Sequence, residues 1–358
     1  MSYSSNISLI SSKDANSQSS CDLFQLAEYH GLDEIHFRSD PSTGLKAIIA
    51  IHNSNLGPAL GGTRSWDYHS TEHAIADVVR LARGMSYKSA FAGLPYGGGK
   101  AVLIRPHTIE NPSAYFEAYG KFIDSLGGRF ITAVDVGTSV GDMDIIANQS
   151  AHVLSTSATH GDPSFFTALG VYKGICAIAR LKFDRADLNG LRVAIQGAGK
   201  VGVHLASLLH KHGATLCVND LNPNAVQQCV AKFDATPLSK TDILNRESDI
   251  FAPCAMGGIL DESTANNVNT AVVCGAANNQ LAEENVGDIL HNRGIFYAPD
   301  YVVNVGGLTH VILGDTDELR RRIERIYDAI LDIYQRSIET DEPAHRVADR
   351  IAEDILYA

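Results

Sequence analysis

Two lysines and one aspartate in the first 135 residues are of the types that transfer protons on an anionic substrate. Lys100 follows three glycines in LPYGGGKAVLI, the segment 94–104, and Lys88 lies twelve residues earlier in MSYKSA. Asp135 comes directly after the apolar run RFITAV. At the start of a buried strand, desolvation would favour the neutral amine of Lys100, the form that accepts a proton. We interpret the three residues as a proton-transfer and anion-binding set; the alternative is that each is a solvated surface charge.

Two groups of glycines occur in the same part of the sequence, and we expect them to expose the backbone to a ligand. Gly97, Gly98 and Gly99 lead into Lys100, and Gly61 and Gly62 follow an apolar strand in LGPALGGTR. A glycine has no side chain, so a small molecule can approach its N–H and C=O groups closely. The sequence therefore predicts a pocket with bare backbone in its wall.

A third glycine motif has the context of a dinucleotide site. The short apolar run RVAIQ (192–196) is followed by GAGKVG, a helical pattern starts within that motif, and the next strand ends before Asp220. In this motif the first glycine makes the turn, the second admits the pyrophosphate and the third packs helix on strand. The pyrophosphate would sit at the helix N-terminus. The residues predicted to bind the cofactor here are Gly197, Ala198, Gly199, Lys200, Val201, Gly202 and Asp220.

The acid after the second strand predicts which cofactor is used. Asp220 lies 18 residues beyond Gly202. A carboxylate there accepts hydrogen bonds from the adenosine ribose and repels a 2′-phosphate. We therefore predict NAD rather than NADP; the alternative is a glycine-rich turn that binds no ligand.

Composition excludes several partners. The net charge is −12, from 29 basic and 41 acidic residues, whereas nucleic acid and anionic membranes are bound by basic faces. No apolar run approaches the roughly 18–20 residues that span a bilayer. The six cysteines form no CxxC pair, so we expect reduced thiols and a cytoplasmic location. The fourteen histidines include no pair at helical i, i+4 spacing on the one helix that carries three of them, and we predict no metal.

Alternating strand and helix patterns predict an α/β chain of two domains. Apolar strands are expected at 45–52, 101–104 and 129–134, with helices at 71–87 and 113–126. We predict a flexible Ser- and Asn-rich tail at 1–22, a substrate domain at 23–155 and a Rossmann NAD-binding domain at 156–339. The last helix, within 340–358, is expected to pack back on the substrate domain.

The motifs together resemble one enzyme family. LGPALGGTR, MSYKSAFAGLPYGGGK, ITAVDVGT, GAGKVG, GAANNQL and PDYVVNVGG occur in the order found in the Glu/Leu/Phe/Val amino-acid dehydrogenases, and the chain is similar to the leucine branch from about Phe24 to its end. The resemblance implies NAD-dependent oxidative deamination of an L-amino acid to a 2-oxo acid and ammonia by a homo-oligomer. It also implies a cleft between the N-terminal substrate domain and the C-terminal Rossmann domain. It does not imply the number of subunits. A non-catalytic NAD-binding sensor or scaffold is a remote alternative.

The resemblance also assigns roles to individual residues. Lys100 would activate water and Asp135 would pass protons to and from the amino group. The predicted substrate-binding residues are Lys88 and Asn279 for the carboxylate, Gly61 and Gly62 for the pocket backbone, and Leu60, Ala133, Val134, Val302 and Val305 for the side-chain wall. Asn278 is assigned to the cofactor.

The position of Leu60 narrows the substrate. Glutamate enzymes of the family resemble one another in having a lysine there, and a buried side-chain carboxylate without a cation would be costly. We therefore expect an apolar substrate, leucine, valine or isoleucine. An aromatic substrate, phenylalanine or tryptophan, stays open, because Val134 and Val305 depart from the leucine-type pattern.

Overall fold

The structure, a computed structural model, describes residues 23–159, 161–255 and 257–358, so the predicted tail at 1–22 lies outside the described residues. Two sheets, each covered by helices, make up this part of the chain. The predicted fold class, an α/β substrate domain followed by a Rossmann domain with a cleft between them, is confirmed.

The first sheet has five strands in the order β1-β2-β4-β3-β5. β1 and β2 pair antiparallel, as do β2 and β4, whereas β3 pairs parallel with both β4 and β5. The elements are α1 Leu23–His30, β1 Glu34–Asp40, β2 Leu45–Asn53, β3 Ala59–Trp66, α2 Thr71–Ala92, β4 Gly97–Ile104, α3 Pro112–Ser125, β5 Phe130–Val134 and α4 Val140–Ala147.

The glycines before Lys100 lie inside β4, and their role differs from the expected one. A Cβ on Gly98 would lie 2.0 Å from the backbone nitrogen of Ser86 in α2, and one on Gly97 would lie 2.0 Å from the carbonyl oxygen of Asn53. A Cβ on Gly99 would lie 2.9 Å from the ring of Phe130. The expectation that a small molecule approaches these glycines was wrong. The protein's own backbone fills the space, and α2 lies directly on β4 as a result.

The second sheet has six parallel strands in the order β11-β10-β9-β6-β7-β8. This is the doubly wound dinucleotide-binding order, whose switch point lies between β6 and β9. The elements are α5 Ser164–Lys182, β6 Arg192–Gln196, α6 Lys200–Lys211, β7 Thr215–Asn219, α7 Pro223–Phe233, β8 Thr236–Pro237, α8 Lys240–Asn245, β9 Ser248–Pro253, α9 Glu262–Asn267, β10 Thr270–Val273, α10 Asn285–Asn292, β11 Phe296–Tyr297, α11 Asp300–Val303 and α12 Val305–Leu313.

Two final helices, α13 Asp317–Thr340 and α14 Ala344–Leu356, connect the halves. The apolar residues of α14 form a buried cluster with Tyr87 and Ala90 of α2, and the Tyr87 hydroxyl donates to Glu353 at 2.6 Å. Within the described chain, α5 alone is long and apolar enough to cross a bilayer, but it packs against α6 and α13 as a core helix.

The contact of α2 with β4 generates a stability prediction. Because the Cβ of Gly98→Ala would collide with backbone, α2 must shift, and we expect a loss of about 1–3 kcal/mol in the free energy of unfolding. Gly84→Ala, on the same helix with no atom within 4 Å of the new Cβ, is the matched control and should be neutral or stabilising. Urea unfolding measures both; equal midpoints for the two variants would refute the packing role.

Candidate active site

A cavity of about 760 Å³ opens between the two sheets. Its lining includes Lys88, Lys100 and Asp135 from the first domain and Lys200, Asn278 and Asp300 from the second. Ends of parallel strands and loops form its walls, the usual place for ligands in α/β proteins. The cleft therefore gathers side chains that lie far apart in the sequence.

Lys100 and Asp135 form a buried ion pair in this cleft. The Lys100 Nζ lies 2.8 Å from Asp135 Oδ2, and Lys100 is 5% exposed. Asp135 follows β5, and its backbone N–H donates to the Thr138 hydroxyl at 3.0 Å, which holds the turn. Burial alone would raise the pKa of Asp135, but Lys100 and Arg64 keep it below its ordinary value. The pair is built for proton exchange between an amine and a carboxylate.

Lys88 projects from α2 into the same cleft. Its Nζ donates to Asn278 Oδ1 at 3.3 Å. Desolvation, opposed by Asp300 and aided by nearby Lys100, lowers the pKa of Lys88 to about 8. The sequence suggested that desolvation would favour a neutral Lys100. In the structure Lys100 is ion-paired with Asp135, and Lys88 is the lysine whose pKa falls. A cation beside an amide is suited to an incoming carboxylate.

Both asparagines assigned from the sequence line the cleft, and their contacts differ. Asn278, assigned to the cofactor, accepts hydrogen bonds from Lys88 and from Asn304 Nδ2, the latter at 2.9 Å. Asn279, assigned to the substrate carboxylate, lines the cleft with left-handed backbone at φ 51°. Asn278 is therefore the amide beside the substrate-side lysine.

The glycine pair in β3 lines the cleft, and neighbouring atoms leave no room for a side chain at either position. A Cβ on Gly61 would lie 1.7 Å from the carbonyl oxygen of Gly99, and one on Gly62 would lie 2.8 Å from Asp135 Cβ. Leu60 beside them is fully buried and faces the cavity. Ala133 and Val134 also face the cavity. This wall joins the substrate region to the Lys100–Asp135 pair.

Val302 and Val305 do not line the cleft. They are 1% and 2% exposed and belong to the core of the second domain. The segment follows β11 and forms the helices α11 and α12, which turn these two valines inward. Leu308 and Val311, further along α12, face the cavity in their place.

The glycine motif at 197–202 fits a dinucleotide. Gly197 has φ 103°, and a Cβ on Gly202 would lie 1.9 Å from the Gly197 carbonyl oxygen, so both must be glycine. A Cβ on Gly199 would meet no atom within 4 Å, which leaves open space above the loop. Gly199 begins α6 without a side-chain cap, so the first helical N–H groups face that space.

The remaining residues of the motif frame the same space. The Asp220 carboxylate, just after β7, accepts from the Ala198 N–H at 2.6 Å and from the Asn222 N–H at 2.7 Å. Val201 and Lys200 line the cleft, and Lys200 forms an exposed ion pair with Asp162 at 2.8 Å. The motif thus offers backbone N–H groups for a pyrophosphate and a carboxylate for a ribose.

Two charged residues of the cleft were missed. Arg64 lies 3.4 Å from Asp135 Oδ2, and its position two residues after the glycine pair in an expected pocket wall was an available signal. Asp300 is 6% exposed, accepts from the Gln280 and Tyr301 N–H groups, and has a pKa raised by burial. No periodicity distinguishes Asp300 from an ordinary helix-start acid.

The lowered pKa of Lys88 is open to direct measurement. With a pKa of about 8, about half of the Lys88 side chains are neutral at pH 8, so acetic anhydride should acetylate Lys88 with a midpoint near that pH. Peptide mass spectrometry across pH about 6–10 follows the reaction. Exposed Lys121 on α3 is the control, and identical pH profiles at both positions would contradict the desolvation of Lys88.

Comparisons with known proteins agree with this geometry. Residues 33–152 match the family model of the Glu/Leu/Phe/Val dehydrogenase dimerisation domain, and residues 218–323 match that of the Glutamate/Leucine/Phenylalanine/Valine dehydrogenases. The chain is 46% identical to leucine dehydrogenase of Geobacillus stearothermophilus over 93% of both chains. It is 44% identical to valine dehydrogenase of Streptomyces virginiae, over 90% of this chain and 93% of that one.

Solved structures show the same relationship. L-tryptophan dehydrogenase from Nostoc punctiforme superposes with a TM-score of 0.82 at 39% identity, covering 93% of this chain and 98% of that one. A hetero-hexameric glutamate dehydrogenase from Thermus thermophilus shares the fold at 20% identity, with a TM-score of 0.72 over 92% and 90% of the chains. The resemblance drawn from the motifs is confirmed, and the chain belongs to the Glu/Leu/Phe/Val dehydrogenase family, whose members are nicotinamide-dependent amino-acid dehydrogenases.

Proposed function

We propose that this protein catalyses the NAD-dependent, reversible oxidative deamination of a branched-chain aliphatic L-amino acid. The reaction converts the amino acid, NAD⁺ and water to the 2-oxo acid, ammonium, NADH and a proton. One observation carries the proposal: the Lys100–Asp135 pair and Lys88 lie in one cleft with the open glycine loop that begins α6. The lysine that would bind the substrate carboxylate, the proton-transferring pair and the cofactor loop thus share a single cavity.

The residues would divide the chemistry as follows. Lys88 and Asn278 bind the substrate α-carboxylate, which places Cα in the cleft. The Gly197–Gly202 loop would hold a nicotinamide cofactor, which would supply the hydride acceptor for Cα. Asp135 takes a proton from the substrate ammonium before Cα is oxidised to the iminium. Lys100 takes a proton from the water that attacks the iminium carbon. Asp135 then returns its proton to the nitrogen of the carbinolamine, and the C–N bond breaks to release ammonia.

The cleft wall supports an apolar substrate. Leu60, Val134, Leu308 and Val311 present aliphatic side chains to the cavity. Leu60 is fully buried, so a glutamate side chain at this wall would leave its carboxylate desolvated without a cation. The leucine and valine dehydrogenases among the relatives favour an aliphatic substrate. The tryptophan dehydrogenase neighbour makes an aromatic substrate the second candidate.

The assembly and location are also part of the proposal. The N-terminal family model carries the description of a dimerisation domain. β1 is an edge strand with β2 as its partner, and Phe37 on it is half exposed. A second copy covering this edge would remove both features, so we propose a homo-oligomer. The five cysteines within the described chain are free thiols, which supports the proposed cytoplasmic location.

Activity on a substrate panel tests the reaction. With NAD⁺, we expect NADH formation from L-leucine, L-valine and L-isoleucine at kcat/KM at least tenfold above that for L-phenylalanine and L-tryptophan. Lys100→Ala removes the proposed base and should lower kcat for L-leucine by about 10²–10⁴-fold. Lys121→Ala is the control. Full activity in Lys100→Ala would overturn the assigned roles, and a preference for L-tryptophan would select the second candidate.

Cofactor choice gives a separate test at Asp220. Asp220→Asn keeps a side-chain acceptor for the loop but removes the charge that repels a 2′-phosphate, so we expect the NADP/NAD ratio of kcat/KM to rise about tenfold, equivalent to about 1.4 kcal/mol. Asp234→Asn, at the exposed end of α7, is the matched control. An unchanged ratio in Asp220→Asn would exclude this carboxylate as the source of the NAD preference.

A further inference from the structure

Arg64 touches the proton-transferring carboxylate but is absent from the division of roles above. Its Nε lies 3.4 Å from Asp135 Oδ2, the same oxygen that Lys100 Nζ approaches to 2.8 Å. The side chains of Arg64 and Asp135 are only 20% and 18% exposed. Two cations thus converge on a single carboxylate oxygen in a poorly solvated place.

The two cations differ in what they can do during the reaction. A lysine amine can lose its proton, whereas a guanidinium stays charged in proteins. When Lys100 is neutral, its contribution to holding Asp135 ionised disappears. Burial then favours the protonated carboxyl, which could no longer accept a proton from the substrate nitrogen. A permanent cation beside Asp135 prevents this.

Arg64 is itself fixed from behind. Its Nη1 lies 2.9 Å from Asp77 Oδ2, and the Tyr68 hydroxyl donates to that same oxygen at 2.6 Å. Arg80 reaches the other Asp77 oxygen at 3.5 Å from the solvent side. The planar guanidinium therefore bridges two carboxylates, with Arg64 on β3 and Asp77 on α2. The residues Arg64, Tyr68, Asp77 and Arg80 all belong to the first domain. The bridge that Arg64 makes between Asp77 and Asp135 therefore does not depend on the position of the second domain.

The charged and titratable groups around Asp135 come from several elements. On the first domain it is faced by Arg64 from β3, Tyr68 from the following loop, Asp77 and Lys88 from α2, and Lys100 from β4. The same loop and α2 also bring Asp67, His69, His73 and Arg80 to a cavity that Asp135 and Arg64 line. On the second domain Asp300 shares the cleft. Among these cations, both lysines can lose a proton and Lys88 is engaged by the substrate carboxylate in the proposed function.

We propose that Arg64 is a positioning residue that keeps Asp135 ionised and oriented while Lys100 changes its protonation state. The inference rests on the proposed function, because it needs Lys100 to act as the base. Arg64 does not touch substrate in this role; it acts through Asp135, and Asp77 acts through Arg64.

The test is the pH profile of NADH formation from the preferred L-amino acid. In Arg64→Met the acid limb of kcat/KM should move up by about one pH unit, which is about a tenfold loss at the acid end. We expect kcat to fall with little change in KM, because the carboxylate anchor is elsewhere. Arg64→Lys, which keeps a cation, should recover part of the shift. Asp77→Asn weakens the contact that holds Arg64 in place, so it should shift the acid limb in the same direction by a smaller amount.

Arg80→Met is the matched control, since Arg80 pairs with the same Asp77 but not with Asp135, and its acid limb should stay in place. Circular dichroism melts verify that each variant is folded. An acid limb that stays in place in folded Arg64→Met overturns the inference. If Arg64→Met does not fold, unshifted limbs in both Arg64→Lys and Asp77→Asn overturn it. If Lys100→Ala is inactive and the acid limb of Arg64→Met is unshifted, this inference alone is overturned. If Lys100→Ala is fully active, the proposed roles and the inference are overturned together.

Discussion

The backbone contact of α2 with β4 is the constraint on which the site depends. At Gly98 the strand comes so close to Ser86 of the helix that a single methyl group would collide with a backbone nitrogen. The contact lets Lys88 on the helix and Lys100 on the strand share one cavity. Gly61 and Gly62 allow a similar close contact on the other side of β4. They lie in β3, and because they have no side chains β3 packs closely on β4 and on Asp135. These glycines are thus needed by the protein's own packing, and the ligand benefits indirectly.

This close packing creates an electrostatic problem that the neighbouring residues resolve. Desolvation in the cleft and the nearby Lys100 disfavour the charged form of Lys88, and its pKa falls to about 8. Asp135 compensates Lys100, and Asp300 partly compensates Lys88 from the opposite domain. Since a buried carboxylate also needs a partner, Arg64 and Asp77 extend the alternation of charges away from the cleft. The result is a row of opposite charges in which two members can exchange protons and the arginine cannot.

The parts that sequence reasoning predicted well are those with a local physical signature. The β6–α6–β7 unit was located to within about a residue, because apolar strands, glycine spacing and a helical pattern all occur within 30 residues. β1 and β3 were missed, since EIHFRSD and ALGGTRSW carry too few apolar residues to indicate strands. Val302 and Val305 were misplaced because the motif that contains them does not show that it forms helices that turn both side chains into the domain core. The contact of Arg64 with Asp135 follows from the parallel register that pairs Thr63 with Val134, and register between distant strands has no local signal.

The division of the cleft between two domains links substrate choice to chemistry. Leu60, Lys88 and the Lys100–Asp135 pair belong to the first domain, while Leu308, Val311 and Asn278 belong to the second. An aliphatic side chain gains its full burial only when both walls contact it, and the carboxylate meets Lys88 and Asn278 only across the same gap. Contacts made by the non-reacting parts of the substrate therefore hold the domains together around the reacting carbon. In the proposed reaction the same contacts would exclude water from that carbon, which would strengthen every charge interaction near Lys100. The Lys100–Asp135 pair is already assembled within the first domain, so the fit of the substrate side chain governs how well the second domain presents the cofactor to Cα, and a poorly fitting side chain should lower kcat as well as affinity.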